Sequence, residues 1–84
     1  MKSAISNWIK SSDYDIKTAE AMFKAKRFVY VIFMCHLSVE KALKAIVANK
    51  SNKIPPKTHD LFLLVKLASL HIPDAHKTIL MHLN

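Results

Sequence analysis

Residues 35–47 have the sequence CHLSVEKALKAIV, and this stretch decides the fold. Its apolar residues recur at three- and four-residue steps, which is the spacing of a helix face. At about 100° per residue, His36, Glu40 and Lys44 fall at the gap between two apolar stripes, whereas Lys41 points away from that gap. We call His36, Glu40 and Lys44 the polar row. The pattern predicts a central helix that contacts neighbours on more than one side.

The polar row has two interpretations, and the sequence leaves both open. Its members are four residues apart, so they can form an intrahelical ladder worth a few tenths of a kcal/mol per pair. In this interpretation Glu40 also satisfies partly buried neighbours across an interface. In the other, the row is a binding site for an anion or a partner, and His36 and Lys44 supply the hydrogen-bond donors.

The composition favours one helical domain that spans residues 1–84. The chain has 84 residues, of which 51% are hydrophobic, and it contains no glycine. Such a length is near the lower limit for a self-sufficient core. Without glycine there is no Gly-rich phosphate loop, and we expect no cofactor. The single cysteine, Cys35, excludes an internal disulfide and is expected to be a buried thiol in a reducing cytoplasm.

Patterns on both sides of the central helix predict an all-α fold, an antiparallel helical bundle of three to four helices. Pro55 and Pro56 interrupt the chain after the central helix, and Thr58 is a suitable N-cap for the next one. No strand pattern and no internal repeat occur. The first helix is expected to begin at residues 3–7, or later if residues 11–13 cap it, and to end at residue 26. The others are expected at residues 29–49, 59–70 and 73–83.

Charge and hydropathy limit the partners. The longest apolar run, Phe28–Cys35, has eight residues, far fewer than the ~20 that a membrane span needs. We therefore expect no membrane segment and a cytoplasmic location. The net charge of +7 favours anionic partners such as a nucleic acid, a nucleotide or an acidic protein. A solvated lysine-rich surface explains the same charge.

Three stretches together resemble the HEPN family (higher eukaryotes and prokaryotes nucleotide-binding). They are residues 35–47, PKTHDLFLLVKLA at 56–68, and SNWIKSSDYDIKTAEAMFKAKRFVYVIF at 6–33. The resemblance implies a cytoplasmic α-helical bundle that commonly forms homodimers. It also implies a toxin–antitoxin pair, in which many such proteins are encoded beside a minimal nucleotidyltransferase and act as the toxin.

The resemblance also bears on catalysis. Active HEPN members are metal-independent ribonucleases that use an arginine and a histidine separated by four to six residues. Here the only arginine, Arg27, precedes His36 by nine positions, and in the pair Lys77 and His82 lysine replaces arginine. Similar proteins usually continue into a helix with an Arg-Tyr-Pro segment, so we expect a chain that is truncated after Asn84 or lacks that helix. No catalytic residue is assigned.

Six residues are candidates for binding a nucleotide or a partner: His36, Glu40, Lys41, Lys44, His59 and Asp60. His59 can line a pocket shared with the polar row, or it can simply begin the third helix with Asp60, whose charge suits the positive end of the helix dipole. Asp15 is expected to be a structural polar residue, because a partly buried acid needs a partner. Lys41 or Lys44 can supply it if the first two helices are antiparallel.

No metal ligand is expected from the spacing of the histidines. His71, His76 and His82 do not share one helix face, and no cysteine or carboxylate completes a tetrahedral set at a familiar spacing.

Three functions remain as hypotheses. The first is an interaction or nucleotide-associated module, the toxin-side partner of a minimal nucleotidyltransferase. The second is a ribonuclease whose catalytic helix is degenerate or missing. The third is a basic bundle that binds nucleic acid. A homodimer is expected in addition, because the second helix is apolar on two sides and short helices cover only part of it.

Overall fold

The computed structural model describes residues 2–84 and places four helices in that range. They are α1 (Lys2–Lys24), α2 (Phe28–Ser51), α3 (Leu61–Leu67) and α4 (Asp74–Leu83). The described residues contain no strand, so the predicted all-α helical bundle is confirmed. No helix among them is both long and apolar enough to cross a bilayer.

The first two helices form an antiparallel hairpin. Residue numbers that rise along α1 meet numbers that fall along α2: Lys44 lies over the ring of Trp8, and the hydroxyls of Ser12 and Ser38 are 3.1 Å apart. At the closed end, the Phe23 and Phe28 rings meet edge to face with centroids 5.7 Å apart. The two long helices therefore contact each other from the turn to the open end.

The turn between α1 and α2 is made without glycine. Lys26 adopts the left-handed conformation with φ 61°, and its N–H donates to Phe23 O at 3.0 Å. The N–H of Arg27 donates to Met22 O at 2.8 Å. These two bonds are the Schellman arrangement that closes the end of a helix. The same pattern recurs after α3, where Ser69 has φ 55°.

The hydrophobic core lies around the C-terminal half of α2. There, α3 and α4 contact the helix and exclude water from its apolar side chains. Leu61 and Leu64 of α3 are completely buried. The buried cluster consists of Leu43, Val47, Leu61, Leu64, Ala68 and Leu80. The position of this core matters for function, because it encloses the charged residues of α2 and leaves the beginning of that helix uncovered.

Three local predictions need correction. Helix α3 is shorter than expected, and its N-cap is Asp60, not Thr58. Asp60 Oδ1 accepts hydrogen bonds from the N–H groups of Phe62 and Leu63 at 3.1 and 3.4 Å, whereas Thr58 Oγ1 accepts only from Asp60 N. Asp60 is a better N-cap than Thr58 because its negative charge also interacts favourably with the positive end of the helix dipole. Cys35 is partly exposed instead of buried, because it lies outside the buried cluster that α3 and α4 form with α2.

Candidate functional site

Glu40 is the centre of the most polar part of the interior. Its side chain is only 5% exposed, and three groups converge on its carboxylate. Lys44 Nζ lies 3.2 Å from Oε2, His36 Nε2 lies 3.3 Å from Oε1, and His59 Nδ1 lies 2.6 Å from Oε1. The structure thus joins the polar row to a histidine from the segment before α3. We call His36, Glu40, Lys44 and His59 the Glu40 cluster.

The partners of Glu40 keep it ionised. Burial by itself raises the pKa of this carboxyl, but hydrogen bonds from His59 and Lys44, and the positive charges of both, lower it by more. The net pKa lies below the ordinary value of 4.5. Charge-assisted hydrogen bonds favour the ionised form in this way when they outweigh desolvation. Glu40 is therefore a carboxylate at neutral pH.

His36 links the cluster to the end of α4. Its Nδ1 lies 2.6 Å from the carbonyl oxygen of Leu83. A carbonyl can only accept, so Nδ1 carries the hydrogen and donates it. In the neutral imidazole, Nε2 then has a lone pair, and this lone pair faces Glu40 Oε1 at 3.3 Å. Two acceptors face each other unless a proton or another cation lies between them.

Lys44 is enclosed on two sides. Its ammonium bonds Glu40 and lies 5.5 Å from the centroid of the Trp8 ring, a cation–π distance. The side chain is buried, as is that of Glu40. By contrast, the side chain of His59 is 82% exposed. His59 is therefore the member of the cluster that a ligand from solvent reaches first.

Lys41 belongs to a different contact, between α1 and α2. Its Nζ lies 2.6 Å from Asp15 Oδ2 and 2.7 Å from Ser11 Oγ. Next to it, Ser12 Oγ donates to Ser38 O at 2.7 Å and Ser38 Oγ donates to Ser12 O at 2.9 Å. Asp15 is buried, and Lys41, one of its two expected partners, neutralises it. This contact fixes the hairpin.

Asp60 also lies outside the Glu40 cluster. Besides capping α3, it accepts a hydrogen bond from Asn84 Nδ2 at 3.2 Å, and Asn84 Oδ1 accepts from Leu61 N at 2.7 Å. Of the six candidate binding residues, the structure brings together His36, Glu40, Lys44 and His59. It assigns Lys41 to the hairpin and Asp60 to the start of α3. Their role in binding a nucleotide or a partner stays a prediction.

Sequence reasoning missed two features of this site. The first is the Leu83 carbonyl, since a backbone acceptor has no sequence pattern. The second is that His36, Glu40 and His59 offer ligand atoms within 4.8 Å of one another, a grouping suitable for a metal ion. The histidines weighed as ligands were His71, His76 and His82. The available signal was the four-residue spacing of His36 and Glu40, with a histidine in the connector after it.

A second candidate surface is the beginning of α2. Five large residues there are each more than half exposed, and no charged residue occurs between Arg27 and His36. We call them the apolar face. They are Phe28, Val29, Tyr30, Ile32 and Phe33.

The family model described as HEPN domain matches residues 5–84 of the chain. The match covers nearly the whole chain, so this chain belongs to the HEPN domain family. Membership supports a helical module associated with nucleotides or RNA. No curated protein and no solved structure shows a significant match to it.

Proposed function

We propose that this HEPN domain is an interaction module, the toxin-side partner of a minimal nucleotidyltransferase, and that it forms a homodimer through the apolar face. The exposure of that face carries the proposal. Val29 is 80% exposed although it lies in a helix whose other half encloses charged residues. Contiguous exposed apolar patches mark interaction surfaces in soluble proteins.

The shape of the face suits a two-fold contact. It lies on one helix, and a closed two-fold dimer places the same patch of both subunits against itself. Apolar residues are self-complementary, whereas a charged patch would repel its own copy. The absence of charge between Arg27 and His36 therefore supports self-association over contact with a charged partner.

The positive charge supports an anionic partner elsewhere on the surface. The net charge is +7, and the two buried acids, Asp15 and Glu40, already have partners inside the protein. The lysines other than Lys41 and Lys44 are exposed, and exposed positive charge attracts RNA, a nucleotide or an acidic protein. The nucleotidyltransferase is the partner that the HEPN resemblance implies, and we include it in the proposal for that reason.

The experiment uses two matched variants, Val29→Asp and Ile54→Asp. Both remove an exposed β-branched residue, since Val29 is 80% and Ile54 is 83% exposed, but only Val29 belongs to the apolar face. An acid in the first turn of α2 also suits the helix dipole, so Val29→Asp should fold. We expect wild type and Ile54→Asp to sediment as dimers at tens of micromolar and Val29→Asp as a monomer. If wild type and both variants all sediment as monomers, the proposed homodimer is wrong.

The partner is tested by sequencing the neighbouring reading frame and, if it encodes a minimal nucleotidyltransferase, by coexpressing that protein with the chain. We expect the chain alone to slow bacterial growth, and the nucleotidyltransferase to restore growth and to copurify with the chain. Normal growth and no copurification would contradict the toxin-side role.

Binding of RNA distinguishes the other hypotheses. The net charge of +7 favours a basic nucleic-acid-binding bundle as the second candidate. Such a bundle would bind any duplex with an affinity that falls steeply with salt. Cleavage of RNA in excess chelator, lost in His82→Ala, would instead favour the ribonuclease.

A further inference from the structure

We propose that His36, Glu40 and His59 form a binding site for a divalent transition-metal ion of the zinc type. The proposal does not depend on the apolar face or on a toxin–antitoxin partner. Two imidazole nitrogens and one carboxylate oxygen are a ligand set that Zn²⁺ accepts, with a fourth position open to water. The three ligand atoms all lie within 4.8 Å of one another.

The first two ligands are already spaced for such an ion. Bonds of about 2.0–2.1 Å at a tetrahedral angle place neighbouring ligand atoms roughly 3.3 Å apart. His36 Nε2 and Glu40 Oε1 are 3.3 Å apart. Both residues lie on α2 at four-residue spacing, so the helix holds them on one face. The ion can enter between them without moving the backbone.

The third ligand, His59, has to move before it can share an ion with Glu40. His59 Nδ1 is 2.6 Å from Glu40 Oε1, a direct hydrogen bond and too short for two ligands of one ion. The His59 side chain is 82% exposed and belongs to the connector before α3, so little packing opposes the shift. The ion would replace the proton that this hydrogen bond holds.

Groups around the three ligands already orient them. A metal-binding histidine usually donates its other N–H to a carboxylate or a backbone carbonyl, which fixes the tautomer. Here His36 Nδ1 donates to Leu83 O at 2.6 Å and leaves the Nε2 lone pair directed at Glu40. Lys44 holds Oε2 of Glu40 at 3.2 Å, so Oε1 remains for the ion. The Lys44 charge opposes a cation, and we therefore expect weaker binding than at a site without it.

A bound ion would tie three segments together. His36 and Glu40 belong to α2, His59 to the connector, and His36 also holds the end of α4 through Leu83. An ion that binds the folded chain but not the unfolded chain raises its melting temperature. The site therefore predicts a zinc-dependent gain of thermal stability as well as binding.

The test uses the full chain without a histidine tag, after treatment with a chelator. Zinc is titrated into wild type, His59→Ala and the control His71→Ala, which removes an exposed histidine outside the cluster. We expect one equivalent of zinc to bind wild type and His71→Ala equally, and at least a tenfold loss of affinity in His59→Ala. Because His59 is exposed, circular dichroism should show its variant folded.

Two further measurements make the result specific. Cobalt substituted for zinc should give the visible absorption of a four-coordinate nitrogen and oxygen site in wild type and not in His59→Ala. Zinc should raise the melting temperature of wild type, of His71→Ala and of Val29→Asp, but not that of His59→Ala. Equal zinc affinity in His59→Ala and wild type, or no stoichiometric binding at all, would overturn the proposal while leaving the apolar-face proposal intact.

Discussion

The two halves of α2 show the reverse of the usual burial pattern: apolar side chains are exposed in the first half, and charged side chains are buried in the second. The first half carries large apolar residues that are exposed, such as Phe33 at 53%. The second half carries Glu40 and Lys44, which are buried. Helix α1 runs along both halves. Helices α3 and α4 form the buried cluster with the second half, and α4 meets the first half at its own end, where Leu83 O contacts His36. Burial in this chain therefore depends on which neighbours are present and less on the side chain itself.

The comparison explains why the polar residues of the second half are paired. An unpaired buried charge costs several kcal/mol. Glu40 has Lys44 and His59, and Asp15 on α1 has Lys41. Among residues 2–84, no buried side-chain nitrogen or oxygen lacks a hydrogen-bond partner. In the first half, the exposed faces of the apolar side chains lack a packing partner in the described part of the chain. Only another molecule or segment can cover them.

The largest expected effect contrasts Leu43→Ala with Phe33→Ala. Leu43 is 6% exposed in the second half, and its truncation leaves a cavity, so we expect a loss of about 2–4 kcal/mol in the free energy of unfolding. Phe33→Ala removes more atoms but from an exposed position, and it should cost less than about 1 kcal/mol. Urea denaturation at low protein concentration measures both. An equal cost would mean that the apolar face is covered within the chain.

The next effect tests the buried charge. Glu40→Ala removes the acceptor for Lys44 and His59, and we expect a loss of about 1–3 kcal/mol, the usual cost of stranding buried polar groups. Glu20→Ala is the control, because Glu20 is an exposed acid on α1, and it should change stability by less than about 0.5 kcal/mol. Thermal denaturation separates the two. A Glu40→Ala protein as stable as the control would place the cluster in contact with water.

The pH dependence of stability gives the next smaller effect. The pKa of Glu40 is lowered below 4.5 in the folded chain. The carboxylate therefore adds stability that is complete above the unfolded pKa and is lost as the pH falls through the folded one. In the presence of chelator, wild type should exceed Glu40→Gln in stability at pH 6, and the gap should narrow below pH 4.5. A gap that stays constant down to pH 3 would show that Glu40 does not carry the dependence.

Local patterns predicted the helices well and the connections less well. The spacing of residues 35–47 predicts α2 and places the polar row between its two apolar stripes, because helix periodicity is a local property. The predicted start of α3 was two residues too early, because Thr58 and Asp60 are both residue types that cap a helix N-terminus. Besides its bonds within the first turn, Asp60 contacts Asn84, which also bonds Leu61 N, and this contact joins distant parts of the chain and has no local pattern.

Which residues meet at the site also depends on contacts between distant parts of the chain, and local patterns do not predict such contacts. Asp15 had two expected partners on α2, and the relative rotation of α1 and α2 selects Lys41. His59 was one of five histidines, and nothing in its sequence neighbourhood shows that it meets Glu40 rather than solvent. The family resemblance supplied the bundle. It did not supply the side-chain geometry, because that depends on how the helices rotate and slide against one another.

The smallest expected effect concerns the two turns that flank the compared regions. Lys26 precedes the exposed half of α2, and Ser69 follows the α3 helix that covers the buried half; their φ values are 61° and 55°. A residue with a Cβ costs roughly 1–2 kcal/mol in the left-handed conformation, and glycine does not. Glycine also loses more backbone entropy on folding, so Lys26→Gly and Ser69→Gly should each gain only about 0.5 kcal/mol. Lys24→Gly, inside the last turn of α1, is the control and should lose about 1 kcal/mol. Thermal denaturation of the single and double variants measures these changes. If both halves of α2 unfold together, the two gains in stability add and appear in one transition.

A gain in Ser69→Gly confined to a separate, later transition would show that the covered half of α2 unfolds on its own.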